Sequence, residues 1–236
     1  MRFPFTTLMA LFLTGFYFSG EAAKRKRPVP QLNEVFAPEK LREDFRVVRE
    51  AMEKAHPGLY LYTPKEKFEG LFEETAKSFT KPLTRREFYL RVAPVVEMAK
   101  CGHTYFDLPP RLLNHLNREA KLFPLPVFFL NQKAYVDLEG GTIPLGAEVV
   151  AINGRPMAEI IAQFLPYIRS DGFNQTMKHR MLADGFALHH RLAYEVSNEY
   201  KIKYISFGKK ETLTAKLTAI PGAKLQKHLV GRHSAK

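Results

Sequence analysis

Six serines, eight histidines and one cysteine are the residues of this 236-residue chain that could attack a carbonyl, move a proton or hold a metal. A nucleophilic serine needs a sharp turn that exposes its hydroxyl, donors for an oxyanion, and a base within hydrogen-bond reach. Ser206 precedes Phe207-Gly208, with Lys209 and Lys210 close behind, but no oxyanion turn or following helix accompanies it, so it reads as a strand end. Ser78 reads as helical, Ser170 stands beside an Asp-Gly turn, and Ser197 and Ser234 lack a glycine neighbour. No catalytic residue is assigned. His189-His190 resembles a metal pair, yet adjacent helical residues project about 100° apart. There is no His-Glu-x-x-His, and Cys101 has no second cysteine beside it, so neither a metal site nor a cofactor is expected. His56-Pro57 reads as a helix end, and Asp44, Glu50 and Glu53 as a solvated face. No glycine-rich loop with lysine is present to cradle phosphate.

The elements that would position such groups are legible from periodicity. A first helix, opened by Pro38 and stopped by Pro57, carries Leu41, Phe45, Val48 and Met52 three or four apart. Thr63-Pro64-Lys65-Glu66 and Thr84-Arg85-Arg86-Glu87 both read as capping boxes, each starting an amphipathic helix, the second one kinked at Pro94. Cys101 to Phe106 then switches to strand character, and 111–120 reads as a short helix. Two hairpins follow, 126–138 turning at Asn131-Gln132 and 201–218 turning at Gly208-Lys209-Lys210. Lys201, Lys203 and Lys209 suit the exposed side of an edge strand. Between the hairpins Asn174 caps a helix with apolar positions Met177, Met181, Leu188 and Leu192.

The net charge of +12 is carried at the ends. Lys24-Arg25-Lys26-Arg27 supplies four positive charges and 201–236 a net eight, which leaves 28–200 neutral. Nucleic-acid binding would need a basic stripe interleaved with aromatics, and none is present. Arg2, an uncharged apolar run to Phe18 and small residues at Gly20 and Ala22 read as a signal peptide cleaved before Ala23. Export to the periplasm, envelope or exterior is expected, with no membrane span left after cleavage; an uncleaved anchor is the alternative. A single cysteine forms no internal disulfide, so the fold must rest on its core.

The stretch 143–156 is the most informative. Gly146 turns into a β-branched strand at 148–152, Asn153-Gly154 closes it with a tight turn, and 157–168 is a helix with Ile160 on its apolar face. Turn, strand, Asn-Gly turn and helix resemble a PDZ-type domain. Asp44-Phe45, His56-Pro57-Gly58-Leu59-Tyr60 and Gly102-His103-Thr104 precede it in order. Together, over about residues 38–220, these motifs resemble the front half of a carboxyl-terminal processing (tail-specific, tricorn-core-like) serine peptidase. The resemblance implies an α+β fold divided as signal peptide 1–22, basic and Pro-containing linker 23–37, helical subdomain 38–100, connector 101–120, PDZ-like domain 121–220 and basic tail 221–236. It implies that the catalytic α/β domain, with its serine and lysine, is absent. The partners it implies are protein or peptide substrates, including their C-termini, and a separate catalytic chain. Gly146, Val150, Ile152 and Ile160 are then the peptide-binding candidates, while Gly102, His103, Thr104, Asn153 and Gly154 are structural motif residues. A hydrophobic edge after Thr218 should be exposed where the missing domain would pack. A stand-alone peptide-binding module is the second reading.

Overall fold

A computed structural model describes residues 28–194 and 196–234; the expected signal peptide and residues 23–27 of the linker lie outside the described residues. The fold is α+β. A short strand β1 (Val35–Phe36) leads to α1 (Pro38–Ala55), then α2 (Lys65–Lys77), β2 (Leu83–Thr84) and α3 (Arg85–Glu97). β1 and β2 pair antiparallel. Leu41, Phe45, Phe68, Phe72 and Phe79 close a helical core from which water is excluded. The Thr84 capping box is present in full: Thr84 Oγ1 accepts from the Glu87 amide at 3.1 Å, and Glu87 Oε2 accepts from the Thr84 amide at 2.8 Å. The Thr84 amide, and the Thr84 hydroxyl that also donates to Glu87 Oε2 at 2.8 Å, hold the Glu87 carboxyl below its ordinary range. The Thr63 box does not form. Pro64 is the cap residue of α2, and the buried Thr63 hydroxyl donates instead to Met98 O, at 2.7 Å. That carbonyl ends α3 without a helical partner, and a buried acceptor is the more costly one to leave unpaired.

After α3 the chain makes a turn, with the Thr104 amide donating to Cys101 O at 3.1 Å, and runs on without pairing. The strand expected at 101–106 is thus a correction: among the described residues no strand edge meets it, and the Gly102 amide is taken by a side chain. Next come α4 (Pro110–Arg118), β3 (Lys121–Leu122), β4 (Val127–Leu130), β5 (Lys133–Val136), β6 (Glu148–Ile152), β7 (Arg155–Pro156), α5 (Met157–Phe164) with a 3-10 turn at Leu165–Tyr167, and α6 (Gln175–Ala193). The chain ends in β8 (Glu199–Ile205), β9 (Thr212–Thr218), β10 (Ile220–Pro221) and α7 (Gly222–Ser234).

The main sheet runs in the order β4-β5-β6-β8-β9, with β7 paired to β6. Its inner face and α5 and α6 enclose the second core, built on Phe123, Val127, Val149, Ile160, Phe164, Phe186 and Tyr200. The β4–β5 turn places Asn131 and Gln132 at φ 49° and 61°, and the Asn153-Gly154 turn has φ 50° and 83°. Left-handed pairs of this kind match the twist of a tight hairpin. Asn174 caps α6, its Oδ1 accepting from the Met177 amide at 2.9 Å. The buried face of that helix is Leu182, Phe186 and His190, whereas the expected Met177, Met181 and Leu188 are only half-buried.

Two expectations about the sheet and the end of the chain are corrected. β8 is an interior strand, so Lys201 and Lys203 lie on its exposed face, and β9 is the edge. The stretch directly after Thr218 is not an exposed hydrophobic edge, although Val230, further along α7, is exposed. Ala219 is buried, β10 pairs with β3, and Leu225 and Leu229 of α7 join the main core, so 222–234 is a packed helix where a basic tail was expected. The region that was to await another domain is covered by the chain's own C-terminal helix.

Candidate functional site

The two cores meet along a third apolar cluster, in which Tyr89 and Ala93 of α3 touch Leu108, Leu112 and Leu116 around α4 and Leu192 of α6. Polar ties reinforce this seam. Arg86 reaches from α3 to the end of α6, Nε donating to Leu192 O at 2.6 Å and a terminal nitrogen to Ala193 O at 2.9 Å. These carbonyls have no helical partner, so the guanidinium caps α6 from the other half of the molecule. Glu97 at the end of α3 accepts from Lys178 of α6, both buried, and Lys178 Nζ also donates to Leu165 O at 3.2 Å.

At the solvent end of the seam, the α3–α4 turn meets the loop before α6. The Gly172 amide donates to Lys100 O at 2.9 Å, and the Gly102 amide donates to Asp171 Oδ1 at 2.7 Å. The fit is tight: a Cβ on Gly102 would lie 2.9 Å from Met177 Cε and 3.0 Å from Asp171 Oδ1. This clasp gathers Cys101, His103 and Asp171, whose ligand-type atoms all lie within 4.8 Å of one another. Cys101 is half-buried and the other two are exposed. His103 is exposed and stands beside the Asp171 carboxylate. Beneath the clasp is a small cavity of about 220 Å³ lined by Tyr89, Tyr105, Asp107, Tyr167 and Arg169. Burial pushes the Asp107 carboxyl up from its ordinary range, opposed by the charge of Arg169. The Arg169 guanidinium lies 4.0 Å from the centre of the Tyr105 ring.

The other sequence-derived residues lie elsewhere. Ile152 and Ile160 are 1% and 0% exposed and belong to the core, and Val150 is half-buried. Gly146 turns into β6 at φ 74°. β6 has strand neighbours on both sides, so no extended peptide can add to it, and the groove expected there is corrected. Gly154 and Asn153 make the turn, and Asn153 Oδ1 accepts from the Lys201 amide at 2.8 Å, which continues the β6–β8 pairing past the strand end. Thr104 follows the clasp and is half-buried. The free sheet edge near a groove is β4. Between Phe128–Leu130 of that strand and α5 and α6 runs an open groove of about 1000 Å³, with Ile161, Leu165, His179 and Arg180 along it.

Of the serines whose side chains are described, Ser170 is buried and donates weakly to Gly172 O at 3.4 Å. The Ser78 hydroxyl donates to Thr75 O at 2.7 Å, and that of Ser197 to Glu199 O. Ser206 begins the β8–β9 turn. The contribution of Asp171 was hidden from the sequence, because it lies about 70 residues from Cys101 in a segment that signals only a turn.

No protein-family model matches the sequence, and no curated protein does. Solved structures do. The chain is similar to mature CPAF, a chlamydial serine protease, with TM-score 0.50 at 11% identity over 78% of this chain and 35% of that one. A serine-to-alanine variant of the same protease gives TM-score 0.49 at 14% identity, over 82% and 39%. The chain thus spans about a third of the length of the protease it matches, and the likeness is one of fold.

Proposed function

We propose that this chain is the front, non-catalytic portion of an exported serine peptidase of the processing type, and that peptide-bond hydrolysis needs a separate catalytic domain. The observation that supports this reading is the fold held in common with CPAF across 78% of the chain. The chemistry agrees with it, because the buried or carbonyl-bound serines described above are poorly placed as nucleophiles. His103 beside Asp171 is the acid–base group this chain would bring to a nucleophile held elsewhere. The order of motifs and the signal-like N-terminus support export and protein or peptide substrates. The test is hydrolysis of an unstructured protein substrate by the purified 236-residue chain. No turnover is expected. Turnover abolished by Ser170→Ala or Ser206→Ala would overturn the proposal.

A second reading, a PDZ-like peptide-binding module, is favoured by one feature. The unpaired edge of β4 adjoins an open groove with an apolar floor and His179 and Arg180 along it. An extended peptide C-terminus could add to this edge as a strand, with its carboxylate toward His179 and Arg180. Titration with a peptide ending in apolar residues should saturate and weaken when the terminus is amidated. Equal binding of both forms would exclude capture of a C-terminus.

A further inference from the structure

The clasp that joins the two halves of the molecule carries a set of atoms the peptidase reading does not use in full. Cys101 offers a thiol, His103 an imidazole and Asp171 a carboxylate, all within 4.8 Å of one another. We propose that Cys101, His103 and Asp171 bind one zinc-class divalent cation. The inference rests on this geometry and not on the peptidase reading, with which it competes, because a cation held by His103 and Asp171 would occupy the acid–base pair named above.

The donor set selects the metal. A thiolate with an imidazole favours a borderline-soft ion such as zinc over magnesium or calcium, which take oxygen ligands. Zinc bonds of about 2.0–2.3 Å in a tetrahedron put ligand atoms about 3.3–3.8 Å apart, so small side-chain rotations from the present separations complete the set. Three protein ligands leave a fourth position open to water or to a group on a partner.

Two features prepare the site. The Gly102 amide and the Lys100 carbonyl fix the Asp171 segment against the α3–α4 turn, at 2.7 and 2.9 Å. Asp171 Oδ1 is therefore oriented by a backbone donor, and its other oxygen can face the metal. Cys101 and His103 lie on the same turn, closed by the Thr104–Cys101 hydrogen bond at 3.1 Å. Two ligands come from the helical half and one from the loop before α6, so a bound cation would cross-link the seam. Binding displaces the Cys101 thiol proton, and any proton on the coordinating His103 nitrogen, so affinity must fall as pH falls.

Cobalt(II) tests this in the intact chain. Titration should give a thiolate-to-cobalt charge-transfer band with the strong visible bands of a four-coordinate site, saturating at one equivalent and erased by zinc. Cys101→Ser should abolish the charge-transfer band. His103→Ala and Asp171→Asn should each weaken zinc at least about tenfold. Asp171→Asn retains an acceptor for the Gly102 amide, so unchanged circular dichroism with weakened binding separates ligation from folding. Cobalt spectra unchanged in Cys101→Ser, or no saturable binding by the native chain, would overturn the site. Neither outcome bears on whether the chain hydrolyses peptides.

Discussion

Glu97 and Lys178 bring opposite charges to a place that water hardly reaches, 8% and 7% exposed. Such a pair gains little over an apolar one, but removing one member strands the other. Glu97→Leu should therefore cost about 3–5 kcal/mol in urea unfolding, while Glu97→Leu with Lys178→Met should recover much of that loss. His190 makes a second residue-scale case. It is 4% exposed among Phe123, Phe186, Tyr194 and Tyr200, and its Nδ1 has no hydrogen-bond partner among the described residues. Burial, with some help from Arg155, lowers its pKa to about 4. The unfolded chain then binds the proton more readily than the folded one, so stability is full above about pH 6.5 and is lost as pH falls toward 4, by up to about 3 kcal/mol. His189, also lowered by burial, adds to the same slope. Urea midpoints for the native chain should drop between pH 7.5 and 4.5, and His190→Phe should flatten that drop without removing it.

At the scale of elements, α7 is set by one glycine. A Cβ at Gly222 would stand 2.4 Å from Asn117 O, in the backbone of α4, which cannot swing away like a side chain. Gly222→Ala should lower stability by about 1–3 kcal/mol, read from the thermal midpoint. Elements whose signals are local were legible in the sequence: the Thr84 box, the Asn153-Gly154 turn, the Asn174 cap and both hairpins. What depends on partners distant in the chain was not. Thr63 looked like a cap because nothing in its neighbourhood reveals Met98. The 148–152 strand looked like a binding edge because strand order is settled by pairing with β8, some fifty residues later. Of the candidate site, Gly102-His103-Thr104 stood out as a motif, and its meeting with Asp171 did not.

For the whole molecule, the seam determines whether two cores behave as one. Leu192 lies in the bridging cluster, and its carbonyl is held by Arg86. Both halves should consequently unfold in one transition, with far-ultraviolet circular dichroism and tyrosine fluorescence tracing the same curve. Leu192→Ala should shift that curve by about 2–5 kcal/mol, the usual range for emptying such a site, and should move the two signals together. Separate midpoints in the native chain would mean that the ties described here do not couple the halves.

The hairpin beside the β4 groove offers something to a protein engineer. Asn131 and Gln132 both stand in the left-handed region, where a side chain is tolerated at some cost and glycine at none. Gln132→Gly would install the Asn-Gly pair such a corner prefers, and the released strain should outweigh the added freedom of the unfolded chain by about 0.5–1 kcal/mol. The groove would then have a firmer rim without any change to its walls.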